Sequence, residues 1–245
     1  MIERLQQQLL ALQKPPGIIG RPGMLPFGIP AIDTALGGGL LCGALHEITA
    51  SGEAHLPAAT GFALGVAKHS GPSPHLFWIT EDMTIAENGA LHGVGFDGFG
   101  LASERLVTIS VAHRRDLLWA MEEVLRCRAV NSVIGEMRVG KINEIAVRRL
   151  SLAAAGNGAL ALLLRTVPAN DASSAATRWI ISAAPSSIAH GPGAPRFVVQ
   201  LVRNRRGQTG SWILEWSENN EQFSLATDAQ PVAAATLDRS HHKIA

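Results

Sequence analysis

Apolar residues recur along this chain with two different periods, and the alternation between them sketches the fold. Ile2, Leu5, Leu9 and Leu12 fall at helical spacing and predict a short amphipathic helix over residues 2–13. Pro15, Pro16 and Gly17 end it, and a Gly- and Pro-rich linker follows. From residue 44 onward, short continuous apolar runs alternate with helical patterns. Residues 44–49 (ALHEIT), 76–80 (LFWIT), 106–110, 130–138 (VNSVIGEMR) and 159–164 predict buried strands. Helices are expected over 54–69, 114–128 and 141–155. Strands and helices in this order predict an α/β domain, its sheet mainly parallel and flanked by helices on both faces. Residues 89–100 are Gly-rich and read as irregular. Residues 196–203 and 211–217 then alternate around a turn at 204–210, which predicts a C-terminal β-hairpin. The chain thus divides into an N-terminal helix (1–14), a linker (15–26), one α/β domain (27–217) and a flexible tail (218–245).

Composition adds limits. The chain has 245 residues, 47% hydrophobic and 17% charged, which suits a sheet covered on both sides. A net charge of +1 argues against a general electrostatic coat for nucleic acid and leaves room for a local patch. That patch is Arg203, Arg205 and Arg206 in the hairpin turn, with no acid between Asp171 and Glu215. It suits phosphates or a carboxylate-rich partner, and a solvated turn is the alternative. Cys42 and Cys127 have no metal-ligand spacing and read as reduced thiols. No metal or cofactor is expected. No apolar run reaches the roughly 18 residues of a membrane helix, and the Gln-rich start is unlike an export signal. A cytoplasmic protein without membrane contact is expected.

The candidate chemistry centres on the turn after the first core strand. In a nucleotide-binding α/β domain this turn carries G-x-x-x-x-G-K-[ST], whose backbone N–H groups and Lys hold the phosphates. Here Ser51 and Gly52 are followed by Glu53, an anion, and then by His55, Leu56 and Pro57. The next Lys, Lys68, lies about three helical turns on. The frame of a phosphate loop is present without its chemistry. Glu81 or Asp82 closes the second core strand, where a water-activating acid would sit; a helix-start carboxylate is the other reading. Glu136 stands where a magnesium-holding Asp would end the fourth strand. Residues 168–195 are rich in Ala, Ser, Gly and Pro around ATRWIISAA. Within them Arg178 and Trp179 read either as a stacking and charge pair for nucleic acid or a partner, or, for Trp179, as core.

The string from Phe27 to Thr49, with Asp33, Leu36, Gly37, Gly38, Gly39, Leu40, Gly43, Glu47 and Ile48, resembles the lead-in to the RecA-type ATPase core. Val202, Asn204, Arg205, Gly207, Thr209, Gly210, Trp212, Leu214 and Trp216 are similar to a RecA-family hairpin. Together with the missing phosphate-loop Lys, the VNSVIGE and GNGALALLLR strands and the ATRW segment, they most resemble the ImuA family of inducible-mutagenesis proteins. The resemblance implies a RecA-like fold and a non-catalytic adaptor in SOS-induced translesion DNA synthesis. The implied partners are a Y-family polymerase homologue of the ImuB type, an error-prone replicative-type polymerase and RecA, with a weak DNA contact and association with the nucleoid after damage. Docking would use Arg178, Trp179, Arg203, Arg205 and Arg206, or the apolar stripe of Leu5, Leu9 and Leu12. The alternative is the SulA family of cell-division inhibitors that bind FtsZ. Val133 to Gly135, Gly156 to Arg165 and Ser173 to Arg178 carry that likeness. The greater length, the RecA-like lead-in and the basic hairpin favour the first family.

Overall fold

A computed structural model describes residues 23–70, 75–137, 142–166, 173–186 and 193–226. The expected N-terminal helix with Leu5, Leu9 and Leu12, and the tail beyond 226, lie outside these residues. Near the start, β1 (Met24–Leu25) pairs antiparallel with β2 (Leu40–Leu41), with α1 (Pro30–Leu36) between them. The linker expected to run to residue 26 therefore already contributes a strand. Asp33 fixes this lead-in, accepting hydrogen bonds from the backbone of Phe27 (2.7 Å) and Gly28 (3.0 Å).

The main body follows as β3 (Ala44–Ala50), α2 (Leu56–His69), β4 (Leu76–Glu81), α3 (Asp82–Asn88), α4 (Gly93–Asp97), β5 (Leu106–Val111), α5 (Arg114–Leu125), β6 (Ser132–Met137), α6 (Glu144–Asn157) and β7 (Leu160–Arg165). Then come β8 (Thr177–Ala184), β9 (Arg196–Asn204), β10 (Gly210–Ser217) and β11 (Gln222–Leu225). One nine-stranded sheet has the order β11-β10-β9-β8-β3-β7-β6-β4-β5. The run from β8 to β5 is parallel, and β9, β10 and β11 extend it antiparallel.

The strands of the parallel centre are buried on both faces, so their apolar runs are continuous rather than alternating. One face packs against α1 and α2 around Phe27, Phe62, Trp179, Trp216 and Phe223. The other packs against α5 and α6 through Leu117, Met121, Leu125, Val147 and Leu150. Close approach needs small residues. A side chain at Gly65 of α2 would collide with the Phe223 ring, and one at Gly135 of β6 would collide with Met121.

Three parts of the reading from sequence change. The ATRWIISAA segment, given no element from the sequence, carries β8, hydrogen-bonded directly to β3. The sheet does not stop at Ser217, because Phe223 brings β11 in as a further strand and is itself 3% exposed. The stretch 89–100 is not wholly irregular, since α4 buries Phe96 against Trp78.

Candidate functional site: the loop after β3 and the arginine turn

The loop after β3 is stitched to its neighbour strand. Ser51 N donates to Ile181 O (2.9 Å), the Ser182 hydroxyl donates to that of Ser51 (2.6 Å), and Ala183 N donates to His55 Nδ1 (3.1 Å). Gly52 is fully extended, at φ −178 and ψ 169. A single turn of 3-10 helix (Glu53–His55) leads into α2, whose first turn contains Pro57. A phosphate needs several N–H groups converging on one point. Here Pro57 has no N–H to offer, and Glu53 is an exposed carboxylate at the helix start. Lys68 is at the far end of α2, donating to Gly100 O (2.6 Å) and paired with Glu221. Beside the loop is a cavity of about 420 Å³, with Glu53 and Glu136 on its wall among Leu56, Leu91 and Phe96. The exposed Glu53 carboxylate opposes a polyanion there.

The acids expected near this cleft are structurally engaged. Glu81 is 8% exposed and forms an ion pair with Arg114 (3.6 Å), tying the end of β4 to the start of α5. Asp82 opens α3 and accepts from the Ser110 hydroxyl, which fits the helix-start reading. Glu136 is buried and accepts from Trp78 Nε1 (3.0 Å). Burial pushes its carboxyl above the usual range, opposed by hydrogen bonds from Trp78 and Thr80.

The basic turn sits at the other end of the sheet. Asn204 lies across from Thr177, the first residue of β8, whereas the loop with Ser51 and Glu53 follows the last residue of β3. The turn docks on α1: Asn204 Nδ2 and Gln208 N both donate to Ala35 O (2.9 and 3.1 Å). Gly207 presses on the same carbonyl so closely that a Cβ would collide with it. The LGGGL lead-in and the NRRGQTG turn, read separately in the sequence, form one joint.

The candidate residues part company here. Trp179 is no stacking platform. It is 1% exposed, with its ring 5.9 Å from Phe27 and 5.7 Å from Phe62. Arg178 donates through Nε to Glu47 Oε2 (2.7 Å), and Ser173 donates its hydroxyl to the other oxygen. Arg203, the cross-strand partner of Arg178, donates to Ser173 O (2.5 Å). Arg178 and Arg203 therefore serve a buried carboxylate and the loop beside it. Arg205 and Arg206 remain exposed, with Arg206 against Met24 Sδ (3.0 Å). Glu47 was visible as an acid within an apolar strand, but nothing in the sequence indicated which cation would meet it.

One polar network runs through the core next to this joint. Trp179 Nε1 donates to Thr177 Oγ1 (2.7 Å), Thr177 is 2.7 Å from His46 Nδ1, and His46 Nε2 is 3.0 Å from Leu41 O. A carbonyl only accepts, so Nε2 carries the proton and Nδ1 accepts from Thr177. Complete burial lowers the His46 pKa to about 4, with the Leu41 hydrogen bond opposing.

Among the described residues no helix is long and apolar enough to cross a membrane. No family model matches the chain. Two proteins named ImuA, from Caulobacter vibrioides strains NA1000 / CB15N and ATCC 19089 / CIP 103742 / CB 15, are each 30% identical to it over 215 residues. The match covers 80% of this chain and 84% of each relative. The crystal structure of the RadB recombinase superposes with a TM-score of 0.58 at 14% identity, covering 83% of this chain and 100% of that one. At that identity the likeness is one of fold, and it identifies the sheet as RecA-like.

Proposed function

Since the chain belongs to the ImuA family, we propose that it serves damage-induced mutagenesis as a non-catalytic RecA-like adaptor. In this reading it joins an ImuB-type polymerase homologue, an error-prone polymerase and RecA during translesion synthesis. The supporting observation is the loop after β3. Its backbone is bonded to β8, Glu53 places an exposed carboxylate at the helix start, and Pro57 offers no N–H. Such a cleft repels a triphosphate. Lost charge-assisted hydrogen bonds, each about 1.5–3 kcal/mol, would leave little affinity. In this reading the surface carries the function, and Arg205 and Arg206 are exposed cations on the docked turn.

Two measurements test this. In cells lacking the gene, the wild-type chain should restore damage-induced mutation, and Arg205→Ala with Arg206→Ala should restore less while folding normally. Calorimetry of the purified chain with ATP and magnesium should show no binding. Micromolar nucleotide affinity, or filamentation with direct FtsZ binding when the chain is overproduced without DNA damage, would overturn the reading.

A further inference from the structure

Four acidic side chains are buried among the described residues: Glu47, Glu81, Glu122 and Glu136. Three of them meet a guanidinium. Glu47 pairs with Arg178, Glu81 with Arg114, and Glu122 with both Arg126 and Arg149. Glu136 differs. Its partners are the Trp78 indole and the Thr80 hydroxyl, and among the described residues no cation stands beside it. A buried carboxyl without a countercharge costs stability. It also lines the cavity beside the loop after β3. We propose that this cavity takes an organic cation, an ammonium or guanidinium group on an apolar stem, with its charge set against Glu136.

The lining selects the occupant. At about 420 Å³ the cavity falls inside the roughly 300–1,000 Å³ of typical ligand pockets. Its described lining contains no Lys or Arg. Glu53 is a second carboxylate on the wall, exposed and without an ion pair among the described residues. His92, the other titratable side chain there, is exposed. Leu56 and Leu64 from α2, with Phe96 from α4, give apolar walls for a stem. Phe96 packs edge-on against Trp78 (6.3 Å), the residue that holds Glu136, and an aromatic face attracts a cation. A hard metal ion needs several oxygen ligands. Among the described residues no three His, Cys, Asp or Glu side chains gather as a metal site, so the lining suits an organic charge. Burial raises the Glu136 carboxyl, and a cation beside it would act in the opposite direction. The inference rests on this lining alone and stands whether or not the mutagenesis reading does.

The full chain can be titrated by calorimetry with hexylguanidinium, with its neutral counterpart hexylurea and with hexanoate. Hexylguanidinium should bind, and should shift the indole N–H resonance of Trp78, which donates to Glu136. Hexylurea should bind at least tenfold more weakly, and hexanoate should not bind. Glu136→Gln, checked for a retained melting temperature, should weaken hexylguanidinium at least tenfold. Glu53→Gln, a change at an exposed position, should weaken it several-fold. A short peptide of alanines with one central Arg separates two sources of the same charge. Tighter binding than hexylguanidinium assigns the cavity to a side chain of a partner protein, and weaker binding assigns it to a free amine or guanidine; both uphold the cation site. Equal binding of hexylguanidinium and hexylurea, no saturation at millimolar hexylguanidinium, or a Glu136→Gln chain that binds like the wild type would each overturn the proposal.

Discussion

Asn204 donates its side-chain amide to the carbonyl of Ala35, 2.9 Å away across 169 residues of sequence. That bond, together with Gln208 N on the same oxygen, makes the basic turn a fixed part of the domain. Gly207→Ala should force a methyl group into Ala35 O and cost about 1–3 kcal/mol, as overpacking does. Asn204→Ala should cost about 1 kcal/mol through the lost hydrogen bond. Denaturant unfolding measures both, and a Gly207→Ala chain as stable as the wild type would mean the turn is not docked.

Arg178 and Arg205 look equivalent in the sequence and should behave oppositely. Arg178→Ala strands the buried Glu47 carboxylate, which costs about 3 kcal/mol or more when a buried pair is broken. Arg205→Ala changes an exposed site and should stay within about 0.5 kcal/mol. Equal effects in thermal melts would refute the Glu47–Arg178 pairing.

Stability should fall with acid through His46. Its folded pKa is about 4, below the ordinary 6.5. The unfolded chain thus binds the extra proton first as pH drops. The contribution is fully present above pH 6.5 and is lost as the pH falls toward 4. At about 1.4 kcal/mol per pH unit the loss is of order 3 kcal/mol. A His46→Gln chain should show a flatter stability profile over that window; an unchanged slope would place the titration elsewhere.

Glu136 carries the opposite sign. Its folded pKa is raised by burial, so its contribution is favourable in acid and is lost as the pH rises through that raised value. Glu136→Gln keeps an acceptor for Trp78 Nε1 and removes the buried charge. It should leave the protein as stable as, or about 1 kcal/mol more stable than, the wild type at pH 7. Lower stability at neutral pH would show that the ionised carboxylate is wanted there.

The sheet was legible because its strands are apolar runs of strand length separated by helical periods. The departure of the loop after β3 from the phosphate-loop motif was legible directly, in Glu53 and Pro57. The fate of Trp179 was not, since the same Arg-Trp pair suits a nucleic-acid surface or a core strand. What decided it was the pairing of β8 with β3, a contact between residues some 130 positions apart. β11 was hidden for a related reason. Its four residues contain one decisive side chain, Phe223, whose partners Phe62 and Trp216 come from other parts of the chain.

The loop after β3 and the arginine turn occupy opposite ends of β8, about 20 Å apart by the rise of a strand. What joins them is a strand hydrogen-bonded along both sides to β3 and β9, its register with β9 shifting once, between Arg178 and Trp179. A change of side chains at one pole therefore needs no rebuilding at the other. By the same token, a variant given a phosphate cradle would find no lever in place to move the arginines, and its coupling would have to be built anew.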